Sequence, residues 1–289
     1  MAMVPSFNTR RLVPLDGPDY DRPREVREFD ETKAGVKGLL DAGVVNIPRM
    51  FIHPPENPQK AAPLDARRLR LQVPVIDLHQ GLEATGKRRD EIVSEIREAS
   101  ETWGIFQMVN HGIPVGVAEE MIEAVRHFHE QPKEVKMDWY SRDPEQRVRY
   151  YCNGDLHVSK AANWRDSIAC NYKDGMLEAD ALPLRGNRQV HGMPDQAKGD
   201  TLITNDKFRS VEHRVLVGRV GPRISAASFF YPSTASTSRP YGPIHEFLSE
   251  TNLPRYRETP HKEYQAYYRS KGLDGTSALP HFKLQQTNG

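Results

Sequence analysis

The sequence predicts an α+β fold, and three observations carry that prediction. Between Leu71 and Tyr140, short apolar runs of strand length alternate with amphipathic stretches of helical period. Farther on, SVEHRVLV and RISAASFFYP, rich in Val, Ile, Phe and Tyr, flank the turn-forming GRVGP. A last helical stretch, HKEYQAYYRSKG, follows Thr259 and Pro260, which cap and open it, and ends at Gly272. The 289 residues suffice for one large domain or two modest ones, and no internal repeat is visible.

Taken in order, residues 1–30 are charged and broken by Pro5, Pro14, Pro18 and Pro23, so an extended arm with little structure of its own is expected, order beginning near Asp30. Asp30 is the expected N-cap of a docking helix in ETKAGVKGLLDAG, with Val36, Leu39 and Leu40 on one face and Gly43 in the C-terminal left-handed position. PRMFIHPPENPQKAAP holds five prolines and is expected to be neither helix nor central strand. Residues 1–70 therefore read as an arm plus one docking helix.

Residues 71–183 carry the alternating pattern. LQVPVIDL and IFQMVNHGI read as strands, separated by a helix in RRDEIVSEIREASETWG with Ile92, Ile96 and Ala99 in register and Gly104 as its stop. Pro114 opens a second helix, whose Val117, Met121, Val125 and Phe128 share a face, and Pro132 starts a short third one over Lys133–Tyr140. YYCNGDLHVSKAANWRDSIACNY reads as strands joined by a Gly-Asp turn. Residues 184–202 form a junction of low structure, residues 203–232 the strand–turn–strand unit, and residues 233–289 a helical extension.

Composition narrows the function classes. Lys plus Arg is 40 against 39 for Asp plus Glu, a net charge of +1 that gives no support to a nucleic-acid or anionic-membrane partner. Two cysteines, Cys152 and Cys170, do not make a disulfide scaffold, and MAMVPSFNTRRLVPLDG has no apolar leader core, so a reducing, cytoplasmic setting is expected. No run approaches the roughly 18 apolar residues of a membrane span.

Eleven histidines make a metal or acid/base site the first question. His111 in VNHGI reads as a structural hydrogen-bonding residue, and His127 and His129, two apart on a helix, diverge and cannot share a metal. His213 is different. It lies in a predicted strand directly before a second one carrying Arg223 and Ser225, whose spacing of two puts them on one face. A guanidinium with a hydroxyl beside it makes a carboxylate receptor.

The stretch NDKFRSVEHRVLVGRVGPRISAASFF resembles the last core strands of plant 2-oxoglutarate and iron(II)-dependent dioxygenases, of the 1-aminocyclopropane-1-carboxylate oxidase homologue type. VPVIDL, ETWGIFQMVNHGIP, HFHEQPKEVKMDWY, NWRDS and YYRSKGLDGTSALPHFKL resemble successive blocks of the same family, over roughly residues 20–183 and 203–284. The resemblance implies a double-stranded β-helix, or jelly roll, in the C-terminal portion and oxidation or hydroxylation of a small plant metabolite. It implies Fe(II) and 2-oxoglutarate as cofactors, ascorbate as a further candidate, His213 as the distal iron ligand, and Arg223 and Ser225 as the pair holding the far carboxylate of 2-oxoglutarate.

Half of the implied site is missing. The family's His-x-Asp element, which brings the other two ligands, is absent, as is its Tyr-containing block. The near relative His261-Lys262-Glu263 lies downstream of His213 on a predicted helix, where its side chains diverge, and His191 and Asp195 are four apart in a proline-broken segment. A jelly roll needs about 60–100 residues, whereas Thr201–Pro232 offers about a third of that. A block lost between Leu202 and Ile203, by exon skipping, genomic deletion or a faulty gene model, is therefore expected, leaving a truncated barrel with no catalytic residue and one metal ligand. Four readings stand side by side: an impaired oxygenase, an oxygenase completed by other ligands such as His191 and Asp195, a non-catalytic binding or regulatory product that engages a full-length relative, and the unstable translation of an aberrant transcript or gene model.

Overall fold

The computed structural model describes residues 20–54, 72–79, 85–171, 199–211, 213, 215, 221–230, 232, 238–272 and 276–285. Its elements, in order, are α1 (Arg22–Glu31), α2 (Gly35–Asp41), β1 (Val75–Asp77), α3 (Lys87–Thr102), β2 (Gln107–Val109), α4 (Val115–Glu130), α5 (Lys133–Met137), β3 (Val148–Cys152), β4 (Asp166–Cys170), α6 (Gly199–Ile203), β5 (Pro240–Tyr241), β6 (Thr259–Pro260) and α7 (His261–Lys271). Helices and strands mix as expected. The strands form three separate two-stranded sheets, β1–β2 parallel, β3–β4 and β5–β6 antiparallel, and no jelly roll is present among the described residues.

The expected arm is corrected over its last third, residues 1–19 lying outside the described residues. Residues 22–31 are helical, because the Asp21 side chain accepts from the Arg24 N–H and Pro23 falls in the first turn, where no N–H is needed. Asp30 is thus inside α1 instead of capping α2. The expected docking helix begins only at Gly35, and Gly43 takes the left-handed conformation expected of it (φ +74°). Of the proline-rich stretch, residues 55–63 lie outside the described residues; the part before them holds a 3₁₀ turn over Arg49–Phe51, and Met50 and Phe51 are core residues.

Three small cores replace one large one. Val26, Phe29, Val36, Met50 and Phe51 pack on Cys152, Leu156 and Ala162, so the N-terminal segment and the β3–β4 hairpin bury each other. Ile76, Leu78, Ile92 and Ala99 join β1 to α3. Leu202, Tyr256 and Phe282 join α6 to the C-terminal extension. The α4 face named from sequence is only partly covered, Phe128 alone being fully buried.

The β3–β4 pairing matches expectation, but its connection does not. Cys152 pairs with Asp166 across the whole 153–165 loop, so Gly154-Asp155 is not a hairpin turn. Buried Asn153 (φ +54°) holds this loop shut: its side chain donates to the Asn163 carbonyl and accepts from the Asn163 N–H.

Carboxylates fasten the N-terminal segment. Asp166 accepts from the Val36 and Lys37 N–H groups at 2.8 and 2.9 Å, capping α2 from a distant strand. Glu25 takes the Arg49 and Met50 N–H groups. Asp30 accepts from both Nε and Nη2 of Arg142, from the Tyr140 hydroxyl, and has His157 Nε2 at 3.0 Å. Burial opposes ionisation of Asp30, but the bonds from Arg142, Tyr140 and His157 outweigh it and hold its carboxyl below the usual range.

Of the strand–turn–strand unit, residues 212, 214, 216–220 and 231, which include the GRVGP turn up to Val220, lie outside the described residues. Among the described ones, residues 222–230 carry no ladder beyond a bridge position at Ser228, and Val211, His213 and Val215 lie in no strand. Val215, Phe229 and Phe230 are 55%, 59% and 56% exposed, so the residue types of a strand are present with no described sheet burying them. Of the expected low-structure junction, residues 199–202 are helical in α6, and residues 184–198 lie outside the described residues.

Two outcomes test this packing. Replacing Asp30 by Asn should cost about 3 kcal/mol in urea unfolding at neutral pH, since Arg142 loses its buried partner. A depressed folded-state pKa stabilises above the unfolded value, about 3.9, and is lost as pH falls through the folded one, so the gap between wild type and variant should close below about pH 4. Gly35→Ala should destabilise by at least about 2 kcal/mol in the same assay, because φ is +68° and a Cβ would collide with the Tyr150 hydroxyl and the Asp166 carboxylate.

Candidate functional site

His213, Arg223 and Ser225 all sit on the surface. The Nδ1 of His213 lies 3.3 Å from the carbonyl of Val211, two residues away in its own segment. Arg223 Nη1 donates to Ser225 Oγ at 3.2 Å, so the pair does share a side as the spacing predicts, but on exposed backbone instead of inside a barrel. In water, a guanidinium has lost the low dielectric that would make it a tight carboxylate receptor.

The other histidines do not complete a site. His111 Nδ1 accepts the Ile113 N–H at 3.2 Å, the structural role read from sequence. His127 is exposed, while His129 packs edge-on against Phe128 and Tyr150, and burial pushes its pKa down. His261 and Glu263 diverge at the start of α7. Burial lowers the His261 pKa, and Glu263 is paired with Arg257 at 2.6 Å. His191 and Asp195 lie outside the described residues.

An iron(II) centre of the implied kind needs two histidines and a carboxylate converging on one point. Among the described residues no three His, Cys, Asp or Glu side chains converge in that way. The described residues do not fit the metal, because among them His213 is an exposed imidazole with no companion ligand.

The electrostatically unusual groups have structural work elsewhere. Buried Lys136 donates to the His129 carbonyl at 2.9 Å, fixing the end of α4, and burial pushes its pKa down. Burial also raises the thiol of Cys170, to about 11, and that of Cys152 further, leaving neither poised as a nucleophile. Asp206 gathers the Tyr256 hydroxyl, Lys283 Nζ at 3.0 Å and Arg255 Nη1 at 3.3 Å, tying the turn after α6 to the C-terminal extension. The Asp206 cluster was not foreseen from sequence, because it joins residues about 50 to 77 apart along the chain.

Comparison with known proteins supplies the family. Residues 73–195 match the family model described as non-haem dioxygenase in morphine synthesis, N-terminal. The chain is 35% identical to 1-aminocyclopropane-1-carboxylate oxidase homolog 3 of Arabidopsis thaliana, across 92% of its own length and 98% of the relative's. The chain belongs to the plant 2-oxoglutarate/iron(II)-dependent dioxygenase family. It is also 33% identical to a 1-aminocyclopropane-1-carboxylate oxidase homolog of Solanum lycopersicum, across 92% and 98% of the two chains. Among solved structures, that of JOX2 in complex with 2OG, Fe, and JA superposes with a TM-score of 0.58 at 17% identity, covering 87% of this chain and 98% of that one. The resemblance read from sequence is thus correct at the family level.

No helix among the described residues is long and apolar enough to cross a membrane. Since His213 and Arg223 are exposed and their hydrogen bonds reach only Val211 and Ser225, two residues away, His213→Ala and Arg223→Ala should each leave the stability measured by urea unfolding within about 0.5 kcal/mol of wild type, whereas core substitutions of ligand-bearing barrel strands cost several times more.

Proposed function

We propose that this chain descends from an oxygenase acting on a small plant metabolite but does not itself turn over 2-oxoglutarate. The single observation behind this is the missing donor set: no His-x-Asp sequence exists in the chain, and the implied distal ligand, His213, is exposed with no companion ligand among the described residues. One imidazole cannot hold ferrous ion against water, and without a metal there is nothing to orient the keto-acid end of 2-oxoglutarate. Arg223 and Ser225 would at most attract its distal carboxylate weakly.

A lost internal block accounts for this state. The alignment to the Arabidopsis relative runs over 362 positions, 73 more than the chain's 289 residues, so at least that many of its positions have no counterpart in this chain. That shortfall agrees with the strands a jelly roll would need beyond residues 203–232. The expected junction at Leu202 and Ile203 lies within one helix, α6, and Leu202 is buried against Tyr256 and Phe282, so the ends have settled into a common core. Residues 71–183 then stand for the family's N-terminal region, 203–232 for the barrel remnant and 233–289 for the C-terminal extension. Fe(II), 2-oxoglutarate and ascorbate are the family's inheritance and not requirements of this chain.

The test is a decarboxylation assay with added iron(II), ascorbate and 2-oxoglutarate, run on the full chain and on His213→Ala. We expect equal, background rates. Turnover that disappears in His213→Ala would overturn the proposal, and turnover lost only on changing His191 and Asp195 would establish those two as ligands instead.

A further inference from the structure

We infer that the chain self-associates by strand addition, residues 222–230 of one copy docking along the open edge of β1 in a second copy. The inference rests on the reading that the barrel remnant has lost its sheet neighbours, and is independent of whether iron binds.

The acceptor is visible in the register. The Pro74 carbonyl and the Leu78 N–H bond to Gln107 and Val109, so alternate residues 74, 76 and 78 face β2. Val75 and Asp77 therefore turn their backbone to the opposite edge, which no strand among the described residues covers. The Asp77 carbonyl is taken by Arg88 at 2.7 Å, but Val75 is 57% exposed. Beside this edge runs a groove of about 220 Å³ between β1 and α3, lined by Pro74, Val75, Ile76 and Trp103 with two acidic side chains, Glu95 and Glu98. Arg88 lies 4.0 Å from Glu95, so Glu98 is the groove's acidic contact least engaged by this copy's own cations.

The donor has matching chemistry. PRISAASFF is rich in strand-forming residues and exposes Phe229 and Phe230, and Arg223 is its one charged residue. On an extended segment Arg223 and Phe229 share a face, and a positive charge toward Glu98 with one phenyl ring toward the apolar part of the groove fits the way such segments add to sheet edges, where backbone bonds give affinity and side chains choose the register. Among the described residues nothing fills the groove and the segment is exposed, and the two are assigned to each other across two copies. Each copy carries one donor and one acceptor, which gives a reciprocal two-fold dimer or, if the rotation does not close, a growing chain.

Sedimentation velocity of the full chain over a concentration series up to about 100 µM tests this. We expect a concentration-dependent rise in sedimentation coefficient, weakened at least about tenfold by Val75→Lys and by high salt. Glu98→Lys and Arg223→Glu should each weaken association, and an equimolar mixture of the two variants should recover it, which no misfolded variant would do. A chain that stays monomeric throughout, an association indifferent to Val75→Lys, or a mixture that recovers nothing would each overturn the inference. Iron content measured on the same samples reports separately on the loss of the metal site.

Discussion

A β-strand is stable only between neighbours: its N–H and C=O groups need partners, and its apolar face needs a second layer. Residues 222–230 carry strand-forming side chains and, among the described residues, no ladder beyond the bridge position at Ser228. With this lack go the exposure of Phe229 and Phe230, the solvated Arg223–Ser225 pair and the exposed position of His213. A metal site built across strands is more demanding still, because its ligands converge only if the sheet holds them in register.

The N-terminal part escapes this fate because its core does not depend on the barrel. Its apolar residues come from α1, α2 and the turn at Met50 on one side and from the β3–β4 hairpin and its loop on the other. Carboxylates then convert this contact into a specific one, Asp166 capping α2 and Asp30 neutralising Arg142, whose remaining donors reach the Cys152 and Asn153 carbonyls at 2.8 and 2.6 Å. The C-terminal extension is organised the same way on a smaller scale, with Asp206 collecting Tyr256, Arg255 and Lys283.

Legibility in the sequence tracked how local the determinants were. The helices α3, α4, α5 and α7 and the strands β1 to β4 are written in periodicity, proline starts and glycine stops that act within a few residues. The helix at Arg22–Glu31 was hidden because proline reads as a breaker until Asp21 is recognised as a cap that makes Pro23 a first-turn residue. The Gly154-Asp155 turn failed because Asn153 closes a longer loop through Asn163, a bond no local rule announces. For the barrel remnant, propensity speaks for strands, while the described part, residues 222–230, carries no ladder beyond Ser228, because pairing depends on neighbours that local composition does not supply. At the site, the spacing of two that puts Arg223 and Ser225 on one side is local and legible, whereas their exposure is set by what packs around them.

Amide hydrogen exchange at concentrations where the chain is monomeric probes the central claim most directly. Residues 223–230 should exchange at close to the rates of an unstructured peptide, while Val148–Cys152 and Asp166–Cys170 are protected by a factor approaching that of global unfolding. Strong protection across Arg223–Phe230 would mean that these residues sit in a sheet after all, and would contradict the claim that they lack strand neighbours.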